Sequence, residues 1–281
     1  MALHPDPYRA VDRQADPHRL VESLEARGRT PTQIRLRRRF LARMRMKPGW
    51  KVLEVGSGSG VVCRDVAALV GRKGRVVGVD PSRVFVHEAR RLARAHGLGS
   101  RVRFEVGDGT RLRFRDGTFD ATLAITVLLH VPDAQALLHE MIRVTRPGGV
   151  VGVQDQDFGT LALDHPNRAL TQRILDGVAR TIYADPWSGR TLYRKFQRLG
   201  LQSVRLTTDV YQDTSFEAWS RSFLQRRAEN AVKFRLISER QAERWLAAID
   251  SQAGAKTFLM TLNFYGVVGV KTEAELTERR T

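Results

Sequence analysis

Short apolar runs alternate with longer amphipathic stretches from Lys51 onward, and this rhythm sets the predicted fold. Apolar runs of strand length lie at 51–55, 75–79, 102–106, 119–125 and 150–154. Helix signals fill the stretches at 61–70, 81–96 and 132–145. Apolar runs of this kind suit parallel strands that are covered on both faces. Strands separated by helices predict an α/β fold with a doubly wound, Rossmann-like, mostly parallel sheet.

The first 48 residues predict an N-terminal arm and a helical cap. One short helix is expected around Pro17–Arg27. A second is expected to start at Thr30-Pro31-Thr32-Gln33, which has a capping-box pattern with proline at the first helical position, and to run to about Met46. We expect its arginine-rich face to lie in water.

The rest of the chain, 49–281, is expected to form one domain with helical insertions at about 160–200 and 212–256. Arg146-Pro147-Gly148-Gly149 is predicted as a turn before the fifth strand. A sixth strand is expected at 201–211 and a last one at 258–270. The second insertion would then sit above the carboxyl edge of the sheet, where a lid or a substrate wall would lie.

The stretch Lys51–Gly60, K-V-L-E-V-G-S-G-S-G, reads as a buried strand that runs into a glycine turn. Glycine lets the backbone turn sharply and approach a ligand closely. A dinucleotide fingerprint would need its third glycine at Val61, and a P-loop would need Gly-Lys-Ser/Thr, so neither pattern is met. Glu54 disfavours a phosphate at this turn and suits a cation.

Polar side chains gather where the predicted strands end. Glu54, Asp80, Asp108 and Thr126 all fall at or just beyond such ends. Ligands of open α/β sheets bind outside the carboxyl ends of the strands. The spacing therefore predicts one binding site at this edge.

The amino-acid composition indicates the cellular compartment of the protein but not the class of its substrate. The chain is 42% hydrophobic and carries a net charge of +17, spread along most of its length and supplied mainly by arginine. Such a charge suits nucleic acid, anionic membranes or acidic metabolites and does not decide between them. With Cys63 alone, an internal disulfide is impossible and a cytoplasmic location is expected. No apolar run is long enough for a membrane span, and the N-terminus lacks a secretory signal core.

Five motifs, in order, resemble the class I S-adenosylmethionine-dependent methyltransferases. They are E-V-G-S-G-S-G (54–60), V-V-G-V-D (76–80), G-D-G (107–109), F-D-A-T-L-A-I-T (119–126) with L-L-H-V-P-D (128–133), and R-P-G-G (146–149). The chain is most similar to the small-molecule branch that includes the ubiquinone and menaquinone biosynthesis enzymes. The resemblance covers about residues 48–160 and implies seven strands with the last one antiparallel.

The resemblance also implies S-adenosyl-L-methionine as the cofactor and roles for several residues. The acid at Glu54 would lie near the methionine amino group, Asp80 would hold the ribose hydroxyls, and Asp108 would meet the adenine amino group. The cofactor-binding residues expected on this basis are Glu54, Gly56, Ser57, Gly58, Gly60, Asp80, Pro81, Gly107, Asp108, Gly109, Thr126 and Val127.

The catalytic residues are less defined, since methyl transfer can rest mainly on positioning the acceptor. His130 is a weak candidate for a base, and similar family members carry a structural histidine there. Asp155 and Asp157 follow the fifth strand and are expected to point into the acceptor pocket, to orient an acceptor or bind a metal ion. No metal site is predicted from ligand spacing. His165, Tyr183 and Tyr211 are weaker candidates.

A small organic acceptor is the favoured substrate. One alternative is a protein that binds S-adenosylmethionine without transferring methyl, such as a cyclase on this fold. A third hypothesis is an RNA methyltransferase, because a ribose or ring-nitrogen target stays open. Methylation of an exocyclic base amine commonly uses an Asp/Asn/Ser-Pro-Pro-Tyr/Phe/Trp loop after the fourth strand, and it is disfavoured because residues 126–131 read T-V-L-L-H-V. Methylation at cytosine C5 needs a nucleophilic cysteine in an acceptor loop, and it is disfavoured because Cys63 lies beside the glycine turn. A homodimer is left open.

Overall fold

Five parallel strands form one half of the sheet in the computed structural model, which describes residues 6–272. They are β1 (Lys51–Val55), β2 (Arg75–Asp80), β3 (Val102–Val106), β4 (Phe119–Ile125) and β5 (Thr145–Gln156). The strand order is β3-β2-β1-β4-β5, and every neighbouring pair is parallel. The order reverses between β1 and β4, so their carboxyl ends border the crevice where such sheets bind ligands.

The other half of the sheet is antiparallel. β8 (Met260–Val270) lies between β5 and β7 (Gln202–Asp213) and is antiparallel to both. A two-residue strand, β6 (Ala162–Leu163), pairs with the start of β8 and continues the β5 edge. The predicted mostly parallel sheet with an antiparallel last strand is confirmed, and β6 is an addition to the seven expected strands.

The predicted turn at Arg146-Pro147-Gly148-Gly149 is wrong, because these residues belong to the start of β5. The pairing of β5 with β4 is irregular here, between Phe119 and Ala121. The backbone N–H of Gly148 donates to the carbonyl of Lys271 over 2.8 Å, and that of Lys271 donates to Gly149 over 2.9 Å. This contact with the residue just after β8 holds the segment in the sheet.

Nine α-helices among the described residues surround the sheet. They are α1 (His18–Arg29), α2 (Pro31–Arg43), α3 (Val61–Val70), α4 (Arg83–Ala95), α5 (Ala134–Val144), α6 (Arg168–Ile182), α7 (Ser188–Arg198), α8 (Ala218–Lys233) and α9 (Glu239–Gly254). One apolar core lies under α2, α3 and α4, and a second lies under α5 and α7. A third core, centred on Tyr211 and Trp245, joins α6, α8 and α9 to the sheet. Helices α6, α8 and α9 therefore share an apolar core of their own, whereas α7 packs on the sheet beside α5.

The predicted capping box at the start of α2 does not form. Thr30 is the N-cap residue, but its side chain makes no capping bond and its hydroxyl donates to the carbonyl of Ala26 over 3.2 Å. The side chain of Gln33 is buried, and its amide nitrogen has no hydrogen-bond partner. A complete capping box is found instead at Ser238 and Gln241 of α9.

None of the helices in residues 6–272 combines the length and the apolar character that crossing a bilayer requires.

Candidate functional site

A cavity of about 640 Å³ opens at the carboxyl ends of β1, β4 and β5. The glycine turn forms one end of it, and the other end is lined by aromatic and amide side chains from β5, β8 and α8. A volume of this size is typical of small-molecule sites. The cavity lies at the position predicted for the binding site.

The glycine turn is fixed from below by the end of β2. The backbone N–H groups of Gly56 and Ser57 donate to the carbonyl of Val79 over 2.8 and 3.1 Å. Gly56 has a φ of +72°, which strongly favours glycine. A Cβ built on Gly56 would lie 2.5 Å from a methyl carbon of Val127. The turn therefore needs glycine both for its backbone angle and for the close approach of Val127.

Glu54 lies at the floor of this end of the cavity and is 2% exposed. Its Oε2 has no hydrogen-bond partner among the described residues. Burial raises the pKa of Glu54 to about 8, and the neighbouring Cys63 opposes this shift by hydrogen bonding to the carboxylate. A buried carboxyl group with a free oxygen is suited to a cationic ligand, which would restore its ordinary ionisation.

Asp80 and Asp108 lie farther along the same end. Asp80 is buried, accepts hydrogen bonds from the backbone N–H groups of Gly58 (2.8 Å) and Ser82 (2.9 Å), and has its pKa raised to about 6 by burial. Asp108 is exposed and accepts from the N–H and the hydroxyl of Thr110, both over 2.8 Å. Each acid therefore already shapes a turn while it borders the cavity.

Most of the predicted cofactor residues are brought together in this cavity. Those that line it are Glu54, Gly56, Ser57, Gly58, Asp80, Pro81, Asp108, Gly109, Thr126 and Val127. Gly60 and Gly107 do not line it. A Cβ on Gly60 would lie 2.6 Å from the ring of Phe104, and the N–H of Gly107 donates to the carbonyl of Asp80 over 3.0 Å. These two glycines support the site from behind.

His130 also lines the cavity and is held by the N-terminal segment. Its Nδ1 lies 2.6 Å from Oδ2 of Asp6. The rings of Tyr8 and Tyr183 lie 5.2 and 5.4 Å from its own ring centroid. The chain thus fixes the orientation of this imidazole at the border between the two ends of the cavity.

Asp155 and Asp157 do not line the cavity, contrary to the prediction. Both are fully buried. Asp155 accepts from the N–H of Leu129 (2.9 Å) and the hydroxyl of Ser188 (2.8 Å), and burial raises its pKa to about 6. Asp157 is paired with Arg190 and caps a short turn by accepting from the N–H of Gly159 over 2.9 Å. These carboxylates connect β5 to α7.

Asp157→Ala is therefore expected to lower the free energy of unfolding by about 3 kcal/mol, because it removes an ion pair and a cap. Urea denaturation followed by circular dichroism would measure the change. Asp164→Ala, at an exposed loop position, is the matched control and is expected to be neutral. Unchanged stability together with lost turnover in Asp157→Ala would instead place this carboxylate in the chemistry.

The weaker candidates separate in the same way. Tyr183 lines the cavity, whereas His165 and Tyr211 do not. His165 lies 3.2 Å from the carbonyl of Trp245, and the hydroxyl of Tyr211 bonds to Ser220 over 2.8 Å. Both therefore belong to the core around α8 and α9.

Apart from Tyr183, the far end of the cavity is formed by residues that the sequence did not single out as site residues. We call it the aromatic chamber and define it by Arg27, Gln33, Gln154, Gln156, Phe158, Tyr183, Trp219, Phe223, Arg227 and Phe264. Phe158 stacks on Tyr183 at 4.7 Å and 7°, and on Phe223 at 6.0 Å and 6°. Phe223 stacks in turn on Trp219 at 5.2 Å. These four rings therefore form a continuous aromatic wall of the chamber.

The positions of Gln154 and Gln156 could have been predicted from the alternation of side chains along a β-strand. Alternate residues of a strand face opposite sides. Gln154 and Gln156 line the chamber, while Asp155 and Asp157 point to the other face toward α7.

Comparison with known proteins places the fold and the glycine turn in one family. Residues 52–149 match the family model described as a methyltransferase domain. An uncharacterised 37.1 kDa protein in transposon Tn4556 of Streptomyces fradiae is 32% identical over 232 residues, which cover 80% of this chain and 64% of that protein. The sterol 24-C-methyltransferase erg6 of Aspergillus fumigatus is 37% identical over 112 residues, 40% of this chain and 29% of its own. The chain thus spans less than two thirds of either relative.

Solved structures agree on the fold. A phosphoethanolamine N-methyltransferase 2 of Haemonchus contortus has a TM-score of 0.63 at 17% identity, covering 97% of this chain and 61% of that one. The (4+2)-cyclase SpnF has a TM-score of 0.53 at 22% identity, covering 85% of this chain and 82% of that one.

Residues 52–149 therefore carry a methyltransferase domain. The resemblance seen in the five sequence motifs is confirmed.

Proposed function

We propose that the protein transfers a methyl group from S-adenosyl-L-methionine to a small organic acceptor bound in the aromatic chamber. The observation that carries the proposal is that one cavity joins the glycine turn to an aromatic chamber lined in part by α1, α2 and α8. Its two ends would hold the cofactor and the acceptor next to each other.

The residues at the glycine-turn end fit S-adenosylmethionine. The free Oε2 of Glu54 suits the ammonium group of the methionine part. The absence of a Cβ at Gly56 lets the backbone reach the ligand, and Asp80 and Asp108 offer carboxylate oxygens for hydroxyl and amino groups. Gly60 and Gly107 would act only through the turn that they support.

The bound cofactor would supply a methyl group on a sulfonium, which is already a good leaving group. The chain would supply position: the aromatic chamber orients the acceptor and excludes water, and this can account for much of the rate. If the acceptor must lose a proton, His130 is the residue at the border of the two ends that could accept it. That role stays a prediction.

The form of the chamber supports a metabolite over a nucleic acid. Arg227 is only 3% exposed within it, whereas single-stranded nucleic acids bind in positively charged grooves that track the backbone and add aromatic rings for base stacking. Many exposed arginines on the described surface form ion pairs, among them Arg39 and Arg43 with Asp209. The excess of 17 positive charges lies outside such pairs, and it does not by itself identify a polyanionic substrate.

Incubation of the pure protein with methyl-labelled S-adenosylmethionine and cell extracts tests the proposal. Label in a small-molecule fraction is the expected result. Label in RNA would favour the RNA methyltransferase. Cofactor binding without label in any fraction would favour a non-methylating protein such as a cyclase. Cytoplasmic location and a homodimer stay sequence predictions, which cell fractionation and size-exclusion chromatography with light scattering would test.

A further inference from the structure

Arg227 is a buried cation without a carboxylate partner. It projects from α8 into the aromatic chamber and is 3% exposed. Its described hydrogen bond runs from Nη2 to the hydroxyl of Tyr183 over 3.3 Å, and its Nη1 has no partner. Within residues 6–272 no Asp or Glu forms an ion pair with it.

The aromatic rings around Arg227 satisfy its charge only in part. Its guanidinium carbon lies 4.5 Å from the ring centroid of Phe158, 4.8 Å from that of Phe223 and 5.3 Å from that of Tyr183. A ring face attracts a cation but accepts few of the five N–H donors of a guanidinium. Burial lowers the pKa of Arg227 from its ordinary value, which reflects this missing anionic partner. A buried charge with unused donors is costly unless something else pairs with it.

The other unpaired groups of the chamber are donors as well. The side-chain amide nitrogens of Gln33 and Gln154 are buried without hydrogen-bond partners. Arg27 forms no described ion pair, and its hydrogen bonds to Thr126 and Gln156 are long, at 3.4 Å each. At the opposite end of the cavity the buried groups without partners are the hydroxyls of Ser57 and Ser59 and one carboxyl oxygen of Glu54, the charged member of the set. The cavity is thus polarised, with an acid at the glycine turn and donors in the chamber.

We propose that Arg227 binds an anionic oxygen group, a carboxylate or a phosphate monoester, on an acceptor with an apolar body. This inference rests on the proposed function, since it assigns the acceptor to the aromatic chamber. Gln33 and Gln154 donate to further oxygens of the same molecule, and the stacked rings contact its apolar part. An acceptor with a free carboxylate or phosphate matches the unused donors, whereas a neutral hydrocarbon or an amine leaves them unpaired.

The burial of Arg227 also sets the size of the partner. A guanidinium that is 3% exposed meets only an anion that enters the chamber. The phosphodiester backbone of RNA or the surface of a membrane stays outside it. The acceptor is therefore a small organic acid or phosphate monoester.

Binding of simple anions and their neutral counterparts tests the proposal. The probes are benzoate, 1-naphthoate and phenyl phosphate, with benzamide and 1-naphthamide as neutral analogues of the two carboxylates. Calorimetry and ligand-observed NMR would measure their affinity for the protein saturated with S-adenosylhomocysteine. We expect at least one carboxylate to bind about tenfold more tightly than its amide, or phenyl phosphate about tenfold more tightly than both amides.

Arg227→Met is expected to remove this preference while the amides keep their affinity. Arg221→Met is the matched control, because Arg221 lies on the same helix over an aromatic ring, 4.2 Å from the centroid of Phe216, but does not line the cavity. It is expected to bind every probe as the wild type does. Thermal melts would show that both variants fold.

The outcomes separate cleanly. Anions that bind no more tightly than the amides, or a preference that survives Arg227→Met, would overturn the proposal. Tighter binding of phenyl phosphate than of benzoate would assign a phosphate monoester, and the reverse a carboxylate. Failure of the wild type to bind S-adenosylhomocysteine would count against the proposed function alone, because the probes can still be titrated into the cofactor-free protein.

Discussion

Replacing Glu54 with glutamine is expected to weaken S-adenosylhomocysteine binding about tenfold to a hundredfold and to remove most of its pH dependence between pH 6 and 8. The loss corresponds to one hydrogen bond to a charged group. Burial raises the pKa of Glu54 to about 8 in the free protein, so the carboxyl group is mostly protonated at neutral pH. An ammonium group beside it favours the carboxylate, so the bound state has a lower pKa.

The sign of the pH effect follows from these two states. Below the free-state pKa of about 8, binding of S-adenosylhomocysteine must release a proton from Glu54. The affinity therefore falls by up to about tenfold for each unit by which the pH is lowered. Calorimetry at pH 7 in two buffers of different ionisation enthalpy would detect release of close to one proton by the wild type and little by Glu54→Gln.

Glu105→Gln is the matched control, since Glu105 pairs with Arg103 on β3 and does not line the cavity. A wild type that binds without proton release, or a Glu54→Gln variant of full affinity, would remove Glu54 from the cofactor site. The folded-state pKa of Glu54 also lies above its unfolded value of 4.5. The free protein is therefore expected to lose stability as pH rises from 4.5 toward 8, and Glu54→Gln is expected to lose less.

Gly56→Ala is expected to destabilise the protein by about 2–5 kcal/mol and to abolish cofactor binding. Positive φ costs a non-glycine residue about 1–2 kcal/mol, and overpacking adds about 1–3 kcal/mol. The overpacking arises because the new methyl group would lie 2.5 Å from a methyl carbon of Val127. Urea denaturation and calorimetry with S-adenosylhomocysteine would measure the two effects.

Gly49→Ala separates the two costs. Gly49 has a φ of +88° but no atom within 4 Å of a built Cβ, so its alanine variant carries the backbone strain alone. Equal destabilisation of the two variants would show that the turn can move away from Val127.

The glycine turn and the strand-end acids could be predicted from the sequence, because the position of each is set by residues that are close to it in the chain. Glu54 lies near the end of one strand, Gly56 follows it and Asp80 ends the next strand, so the topology of a parallel sheet brings them together. The start of β5 depends on a distant residue instead. Gly148 and Gly149 look like a turn in isolation, and their pairing with Lys271 decides otherwise.

The aromatic chamber was hidden for a related reason. Its residues come from α1, α2, β5 and the turn after it, the end of α6, α8 and β8, which only the folded chain brings into contact. One local signal was available: Arg227 lies four residues after Phe223 and so on the apolar face of α8. A charged residue on the apolar face of a helix indicates that it interacts with another polar or charged group. The capping pattern at Thr30 misled because it assigned Gln33 a local role that the structure does not give it.

Helix α1 contacts both ends of the cavity and so links the two proposed ligand sites. The side chain of Leu24 lies 2.8 Å from where a Cβ of Gly58 would stand, and the guanidinium carbon of Arg27 lies 5.9 Å from the ring centroid of Trp219. Both residues belong to the same twelve-residue helix. A rigid-body displacement of α1 away from the glycine turn would therefore also move Arg27 relative to Trp219. The two ends of the cavity are mechanically linked through one helix.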